Sequence, residues 1–571
     1  MNRPTPALVV PQAVRRLPRW VPWLLIAAYV LPGFWGRDPW RGADLTSLAV
    51  MLEMHAGGPW HVPQVLGETV LPLAWLPYWL GAAAIAWLPL PTLVAARLPF
   101  VLALGLTLAC TWYSVYRLAR LPAAQPLAPA LGEAVAPVDY ARAVADGALL
   151  ALVATLGLAM LAHETTPTAL QLAGMALWGW AGAHGWSSGG APQPTSLRWG
   201  AAIGGTWAAA FVLALSGAPW LVGPLALAQA AWWWRTGMPP SRVVLALAGC
   251  AAALGLTWAL HPAGLGWTAY GWPDGFDLTS LAAWGSLGRL LAWFVWPSAV
   301  LALWALWRWR AHLRSPHIGW PLTQALVVLL ASVADGANDR VLVLALPSIA
   351  TLAAWALPTL RGSLSAAIDW FAVLLYSGAA VIVWVIWVAM MTGVPAKPAA
   401  NVARAAPGFE PALHPVLLGA ALAGTALWLA LVVWRLGRHA PALWKGLVLS
   451  AAGFTLNWLL LMTLWLPLLN WGLGLRPISE RIARLVPAQA CVAVTGLTPG
   501  DIGALRLHGG LAVQRLDSRS AQRCPLLVAG PRARAIDPDQ WTLRADLPRL
   551  RENRERWRVY ERAAPSADGA S

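Results

Sequence analysis

Apolar runs of about 20 residues recur along most of this 571-residue chain, and that repetition limits what it can fold into. Wound as helices, runs of that length cross the hydrocarbon of a bilayer, where only helices and closed barrels satisfy their own backbone. The composition agrees: 58% of residues are hydrophobic and 11% charged, against about 25% charged in soluble domains. The fold class expected is an α-helical polytopic membrane protein. The net charge of +16 does not point to nucleic acid. Arg clusters at the ends of apolar runs, where it sets topology and meets anionic membrane lipids, and there is no basic stripe with interleaved aromatics.

Arg3, Arg15, Arg16 and Arg19 precede the first run, Trp20 to Phe34. The positive-inside rule places the N-terminus in the cytoplasm. The run lacks a small-residue cleavage site and reads as a retained signal-anchor. The polar loop that follows is then outside. Residues 71–89 are apolar too, but counting them as a span would strand Arg117, Arg120 and Arg142 on the outer side. Pro72, Pro77, Trp75, Tyr78 and Trp79 suit a helix lying at the outer interface instead. About 13 spans follow from that choice, with about 144–162, 289–308 and 446–471 each read as one crossing. The Pro/Ala-rich stretch 121–139 and the Gly/Ser/Pro-rich stretch 185–197 become cytoplasmic linkers.

Two domains are expected. Residues 1–471 form the transmembrane domain, with an outer first loop at 36–90. Residues 472–571 are Arg-rich and carry short β-type runs at 490–495, 511–516, 525–529 and 556–560, alternating with helical stretches at 478–486 and 501–507. That pattern predicts a small outer α/β domain. Cys491 and Cys524 each adjoin a predicted strand, and an oxidising periplasm permits a disulfide between them. Cys110 and Cys250 lie inside apolar runs and read as packing.

Most of the acidic residues and histidines that lie among the helices collect on the outer face. Arg37 to Trp79 alone carries Asp38, Arg41, Asp44, Glu53, His55, His61 and Glu68. His163 and Glu164, then Asp335, Asp339 and Arg340, lie at later outer turns. His55 and His61 read as interfacial packing. No ligand cluster demands a metal, and no cofactor is expected.

Four segments carry a resemblance to a known family. They are D-P-W-R-G-A-D (38–44), P-W-H-V-P-Q-V-L-G (59–67) with Pro77, Tyr78 and Trp79 after it, H-E-T-T-P (163–167), and S-V-A-D-G-A-N-D-R-V-L-V-L-A-L-P (332–347). Together they resemble the integral-membrane glycosyltransferases of the C-type fold, in the bacterial branch that includes the lipid A aminoarabinose transferase and the protein O-mannosyltransferases. There are departures. Pro39 stands where the family usually has Glu. Pro72 and Leu73 stand where it has a Glu-Lys pair, and Asp335 and Ala337 where it has lysines. Those lysines would have met the donor phosphate.

The resemblance implies a bacterial inner-membrane enzyme that takes a sugar from a polyprenyl-phosphate donor and passes it, at the periplasmic face, to a lipid, glycan or protein acceptor, with lipid A modification among the possibilities. Displacement at the anomeric carbon needs a carboxylate beside the attacking group and positive charge for the leaving phosphate. Asp38 is the candidate base; its other reading is an N-cap for a helix starting near Pro39. Asp44, about two turns on, and Glu164, at a membrane boundary, are further catalytic candidates. Arg41 and Arg340 are candidate phosphate contacts, with Glu68, Tyr78 and Asp335 as substrate-binding candidates. Local ion pairs are the alternative for both arginines. Two other functions fit an apolar chain of this kind: a lipid or sugar flippase, and a non-catalytic polyprenyl-lipid-binding relative. The absence of an internal repeat argues against the first.

Overall fold

Length and apolarity drive the runs into helices. The structure, a computed structural model, describes residues 4–14, 18, 20–40, 42–127, 133–186, 196–271, 280–360, 362–436, 442–487, 489–548 and 556–563. Helix α1 (Trp20–Phe34) leads to α2 (Gly42–His55), the hairpin β1 (Gln64–Val65) and β2 (Glu68–Thr69), and α3 (Leu76–Trp87). The bundle continues through α4 (Thr92–Ala119), α5 (Pro137–Ala154), α6 (Leu156–Ala162), α7 (Pro167–His184), α8 (Ser196–Leu215), α9 (Pro219–Arg235) and α10 (Pro240–Leu260). Then come α11 (Leu281–Phe294), α12 (Ser298–Arg308), α13 (Pro316–Ala334), α14 (Asp339–Leu342) and α15 (Leu346–Ala354). Its last members are α16 (Gly362–Thr392), α17 (Ala396–Ala405), α18 (Pro415–Leu436), α19 (Lys445–Leu461) and α20 (Leu466–Leu473). Leu374, Val381, Val416 and Val433 point outward from α16 and α18, an apolar exterior that only lipid would cover.

Among the described residues, seven helices are long and apolar enough to cross a membrane, or up to ten if each of three bent pairs is one span. That is fewer than the expected total of about 13. Helices α1, α7 and α9, at 15, 18 and 17 residues, stand at or below the length that crosses the hydrocarbon layer. The three runs read as single crossings are broken: α5 and α6 by 71°, α11 and α12 by 95°, α19 and α20 by 66°.

A break frees backbone groups that hydrocarbon cannot satisfy, so each must find a partner in the protein. The first two breaks meet and supply one another. The amide of Leu156 donates to the carbonyl of Trp296 at 3.1 Å. The hydroxyls of Thr155 and Ser298 lie 2.7 Å apart, and the Ala151 carbonyl lies within hydrogen-bond distance of both, so that one hydroxyl donates to the other and the other to the carbonyl.

Helix α3 has 12 residues. At 1.5 Å per residue it is roughly 18 Å long, too short for a hydrocarbon layer of about 30 Å. It belongs to the polar loop: Trp75 Nε1 donates to the His61 carbonyl at 3.0 Å and Trp79 Nε1 to the Trp60 carbonyl at 2.7 Å. The reading of 71–89 as something other than a span agrees with this length.

The C-terminal region packs α21 (Arg476–Leu485) and α22 (Pro499–Gly509) with β3 (Cys491–Thr495), β4 (Ala512–Arg515), β5 (Leu526–Ala529), β6 (Trp541–Pro548) and β7 (Arg556–Arg562). The five strands form one sheet in the order β4-β3-β5-β7-β6. Strand β3 runs parallel to both its neighbours, and β7 antiparallel to both of its own. Cys491 and Cys524 form a disulfide with their Cα atoms 5.0 Å apart. Strand β6 is the one the sequence reading did not foresee. It is an exposed edge carrying Arg544 and Asp546, and charge on an edge strand suppresses the apolar alternation that marks a strand.

This region docks on the polar loop through α22, whose glycines let it lie close to α2. A Cβ on Gly503 would come 2.7 Å from the Cβ of Ala49 and 3.0 Å from the Leu45 carbonyl oxygen. Arg506 pairs with Glu53 and Arg515 with Glu68 across the same contact. Gly503→Val is therefore expected to undock the region while leaving its own sheet intact. Limited proteolysis checks this: cleavage within residues 496–509, in α22 and the turn before it, should accelerate at least several-fold, and an unchanged rate would show that the contact does not depend on close approach.

Candidate functional site

Backbone leaving α1 must turn at once into α2, and the turn, Trp35 to Trp40, is where charge gathers. Asn470 of α20 holds it. Its side-chain oxygen accepts from the Asp38 amide at 2.9 Å and from Trp40 Nε1 at 2.8 Å, and its amide nitrogen donates to the Gly36 carbonyl at 2.9 Å. Asp38 is thereby fixed with 3% exposure. Arg476, the first residue of α21, donates from Nη2 to the Asp38 carboxylate at 3.0 Å. Burial raises the Asp38 pKa above the ordinary carboxylate value; the nearby Arg476 and Arg97 oppose that without cancelling it. The expected helix start near Pro39 is not found: α2 begins at Gly42, and Asp38 lies in the turn before it.

Asp44 sits in the first turn of α2 and is 1% exposed. One carboxylate oxygen accepts from both the amide (2.7 Å) and the hydroxyl of Thr165, and the other from Arg37 Nη2 at 3.4 Å. Arg37 is equally buried; it also donates to the His163 carbonyl, and its guanidinium lies 5.2 Å from the centre of the Trp40 ring. Asp44 thus clamps the α6–α7 turn to the α1–α2 turn, and its acceptor capacity is spent there.

The α6–α7 turn carries Glu164, fully buried, which takes an ion pair from Arg340 Nη2 at 2.8 Å. Arg340 Nη1 also reaches Thr166 Oγ1 at 3.4 Å. The backbone that aims Arg340 is set by Asn338, whose side chain caps α14 through the Arg340 amide at 2.9 Å and donates to Asp335 at 2.8 Å. Asp335 therefore shapes the turn from which Arg340 reaches out.

Arg97, in the first turns of α4, closes the group from below. It is 3% exposed, and Nη1 donates to the Phe34 carbonyl at 3.0 Å, at the end of α1. It lies within electrostatic reach of Asp38, Asp44 and Arg37.

The structure brings Asp38, Asp44, Glu164 and Arg340 to one face with Arg37, Arg97, Asn470 and Arg476. Tyr78 lies in the floor of the loop, buried and hydrogen-bonded to Ser47. Glu68 points away to Arg515 and holds the C-terminal region. His55 is exposed at the end of α2, and His61 contributes its carbonyl to Trp75. Arg41 lies outside the described residues. Among the described residues no group of three His, Cys, Asp or Glu side chains is placed to hold a metal ion.

No protein-family model matches the chain, and no curated protein sequence does. Solved structures do. ArnT from Cupriavidus metallidurans bound to undecaprenyl phosphate matches with a TM-score of 0.61 at 15% identity, over 97% of this chain and 99% of that one. The apo state of the same protein matches with a TM-score of 0.57 at 15% identity, over 95% and 97%. The chain has the ArnT fold. This is the C-type glycosyltransferase architecture, helical and membrane-embedded, with a small C-terminal sheet domain.

Seen on the ArnT fold, four of the gathered residues had not been singled out in the sequence: Arg37, Arg97, Asn470 and Arg476. Only Arg97 carried a usable signal. It is a lone charge in the first half of a 28-residue apolar helix, and an ionisable group in such a setting is functional by default. Arg476 and Asn470 lie more than 430 residues from Asp38, so only tertiary folding unites them.

Two stability outcomes follow. Arg37→Leu leaves Asp44 buried without its guanidinium and is expected to cost about 3 kcal/mol or more, read as a lowered midpoint of thermal unfolding in detergent. Asp38→Asn should act in the opposite sense. The folded pKa of Asp38 exceeds its unfolded value, so stability falls as pH rises through that window and is lowest once the carboxyl is ionised. At neutral pH the variant should melt at or above the wild-type temperature; a marked drop would show that Asp38 is a structural brace.

Proposed function

We propose that this protein is an inner-membrane glycosyltransferase, moving a sugar from a polyprenyl-phosphate donor to an acceptor oxygen at the periplasmic face. One observation carries the reading: a buried carboxylate, Asp38, is ringed by guanidinium groups at the first polar loop of a chain with the ArnT fold. The neighbour of that fold was solved with undecaprenyl phosphate bound, which supports a polyprenyl-phosphate ligand here. Orientation rests on the arginines before α1 and on the cationic ends of the later helices.

Asp38 acts as the general base in this reading. The acceptor oxygen forms a bond to the anomeric carbon as its proton passes to the Asp38 carboxylate. The bond from the anomeric carbon to the donor phosphate oxygen breaks, and its electron pair leaves on the polyprenyl phosphate, where guanidinium groups meet the charge. The clamp formed by Asp44, Thr165 and Arg37 keeps the turns in register, and Glu164 positions Arg340 on the rim. No cofactor enters; the lipid-linked donor is a substrate. The acceptor class, whether lipid, glycan or protein, and the sugar itself are left to experiment.

Purified protein incubated with a panel of undecaprenyl-phosphate sugars and envelope acceptors tests this. Asp38→Asn is expected to lower turnover by about 10²-fold or more. In the wild type, the acid limb of kcat/KM should lie above the ordinary carboxylate range, because only ionised Asp38 accepts the proton and burial holds its pKa up. Turnover unchanged in Asp38→Asn would sink the assignment.

A further inference from the structure

Among the described residues of this junction, four guanidinium groups (Arg37, Arg97, Arg340, Arg476) lie with three carboxylates (Asp38, Asp44, Glu164), and three of the arginines are seen in direct ion pairs: Arg37 with Asp44, Arg340 with Glu164, Arg476 with Asp38. Arg97 is the cation left over. Its single bond is to the Phe34 carbonyl, and Nε and Nη2 meet no acceptor among the described residues although the side chain is 3% exposed. Asp38 and Asp44 lie within electrostatic reach of it without pairing directly, and a buried guanidinium whose remaining donors meet no acceptor is suited to an anion.

Arg476 provides the way in. Its side chain is 51% exposed while the carboxylate it touches is 4% exposed, so it joins solvent to the buried group. Only Nη2 is engaged with Asp38, which leaves the rest of a five-donor fork for a second oxygen ligand. His508 of α22 lies beside both arginines. Burial, together with Arg476 and Arg97, pushes its pKa down to about 4, against a weaker opposing pull from Glu480. It is therefore neutral near pH 7 and adds no third cation, while its buried Nε2 has no partner among the described residues.

We infer that Arg97 and Arg476 together form an anion site beside Asp38 that takes the phosphate group of a lipid-linked substrate, so that the C-terminal region supplies part of the site. The inference rests on the glycosyltransferase reading and goes beyond it in naming the residues that replace the missing lysines. The shared chemistry is a phosphate monoester or diester on a lipid; the donor and a phosphorylated acceptor are its two sources. In this structure Arg476 lies on Asp38. A phosphate oxygen competing for the same guanidinium draws it away and frees the carboxylate, so that substrate binding exposes the base.

The test measures binding to the full-length protein in detergent by native mass spectrometry. Undecaprenyl phosphate, undecaprenol and a phosphorylated glucosamine-disaccharide lipid are the probes. Wild type should prefer undecaprenyl phosphate to undecaprenol. Arg476→Gln should weaken at least one phosphate-bearing lipid by about 10-fold and leave undecaprenol unchanged. Arg97→Lys keeps the buried charge and guards against misfolding; it should lose part of the affinity that Arg97→Gln loses in full. Arg544→Gln, on the exposed sheet edge, is the control for loss of general charge and should change nothing. Loss confined to undecaprenyl phosphate assigns the site to the donor, and loss confined to the glycolipid assigns it to the acceptor. Phosphate-selective binding that survives in both Arg476→Gln and Arg97→Gln overturns the anion site while leaving the function standing. A wild type blind to the phosphate overturns the function itself.

Discussion

Taking charge out of water governs this molecule. Three carboxylates and four guanidinium groups lie at the junction of α1, α2, α4, the α6–α7 turn, α14 and α20–α21, and five of the seven are nearly inaccessible. Each such group costs several kcal/mol to desolvate, and only close pairing with further hydrogen bonds repays it. The pairs therefore dictate where the chain ends must meet. Arg37 can reach Asp44 and the His163 carbonyl only if the α1–α2 and α6–α7 turns touch. Arg476 can reach Asp38 only if α20 bends off α19 and brings α21 over the loop. The polar junction is a set of geometric conditions that the surrounding apolar helices obey.

The bends are the means of obeying them. Straight crossings would carry α6 and α20 along their parent axes. Breaks of 71° and 66° turn them instead, so that His163 and Thr165 beyond α6 and Asn470 on α20 meet the loop. Broken backbone in hydrocarbon is tolerated only where protein satisfies it, and the mutual bonding of the α5–α6 and α11–α12 breaks does this. Pairing breaks with one another confines irregular backbone to one level of the bundle, close to the site that needs it. The ordinary Leu, Ala and Trp packing elsewhere then has no reason to deviate from helix.

How much of this was legible in the sequence differs by level for physical reasons. Helices were legible because apolar run length is a local property. The first loop stood out because Asp38, Asp44 and Glu68 interrupt an apolar background, and the strands from Cys491, Ala512, Leu526 and Arg556 because their apolar runs are bounded by turns. Bends were only partly legible: Pro297 and Pro467 mark two of them, but only Thr155 stands between Ala154 and Leu156. Nor could spacing sort the acids by role. Asp38 and Asp44 look alike in D-P-W-R-G-A-D, yet one keeps a partly exposed partner and the other is consumed by Thr165 and Arg37. That difference depends on residues more than 100 positions away.

The same reasoning explains why a small soluble sheet is attached to a membrane bundle. On the proposed function, a site that discharges a lipid phosphate needs positive charge near its mouth, and a cation carried there on a membrane helix would face hydrocarbon. Mounting Arg476 on α21 avoids this. The residue sits on the C-terminal region, is half-exposed, and rests on Asp38. The docking of α22 on α2, with Arg506 on Glu53 and Arg515 on Glu68, then fixes the distance between that cation and the buried one, Arg97. On the proposed anion site, the cation that a lysine near Leu73 would supply need not be restored on the loop, because Arg476 of the C-terminal region brings its charge to Asp38.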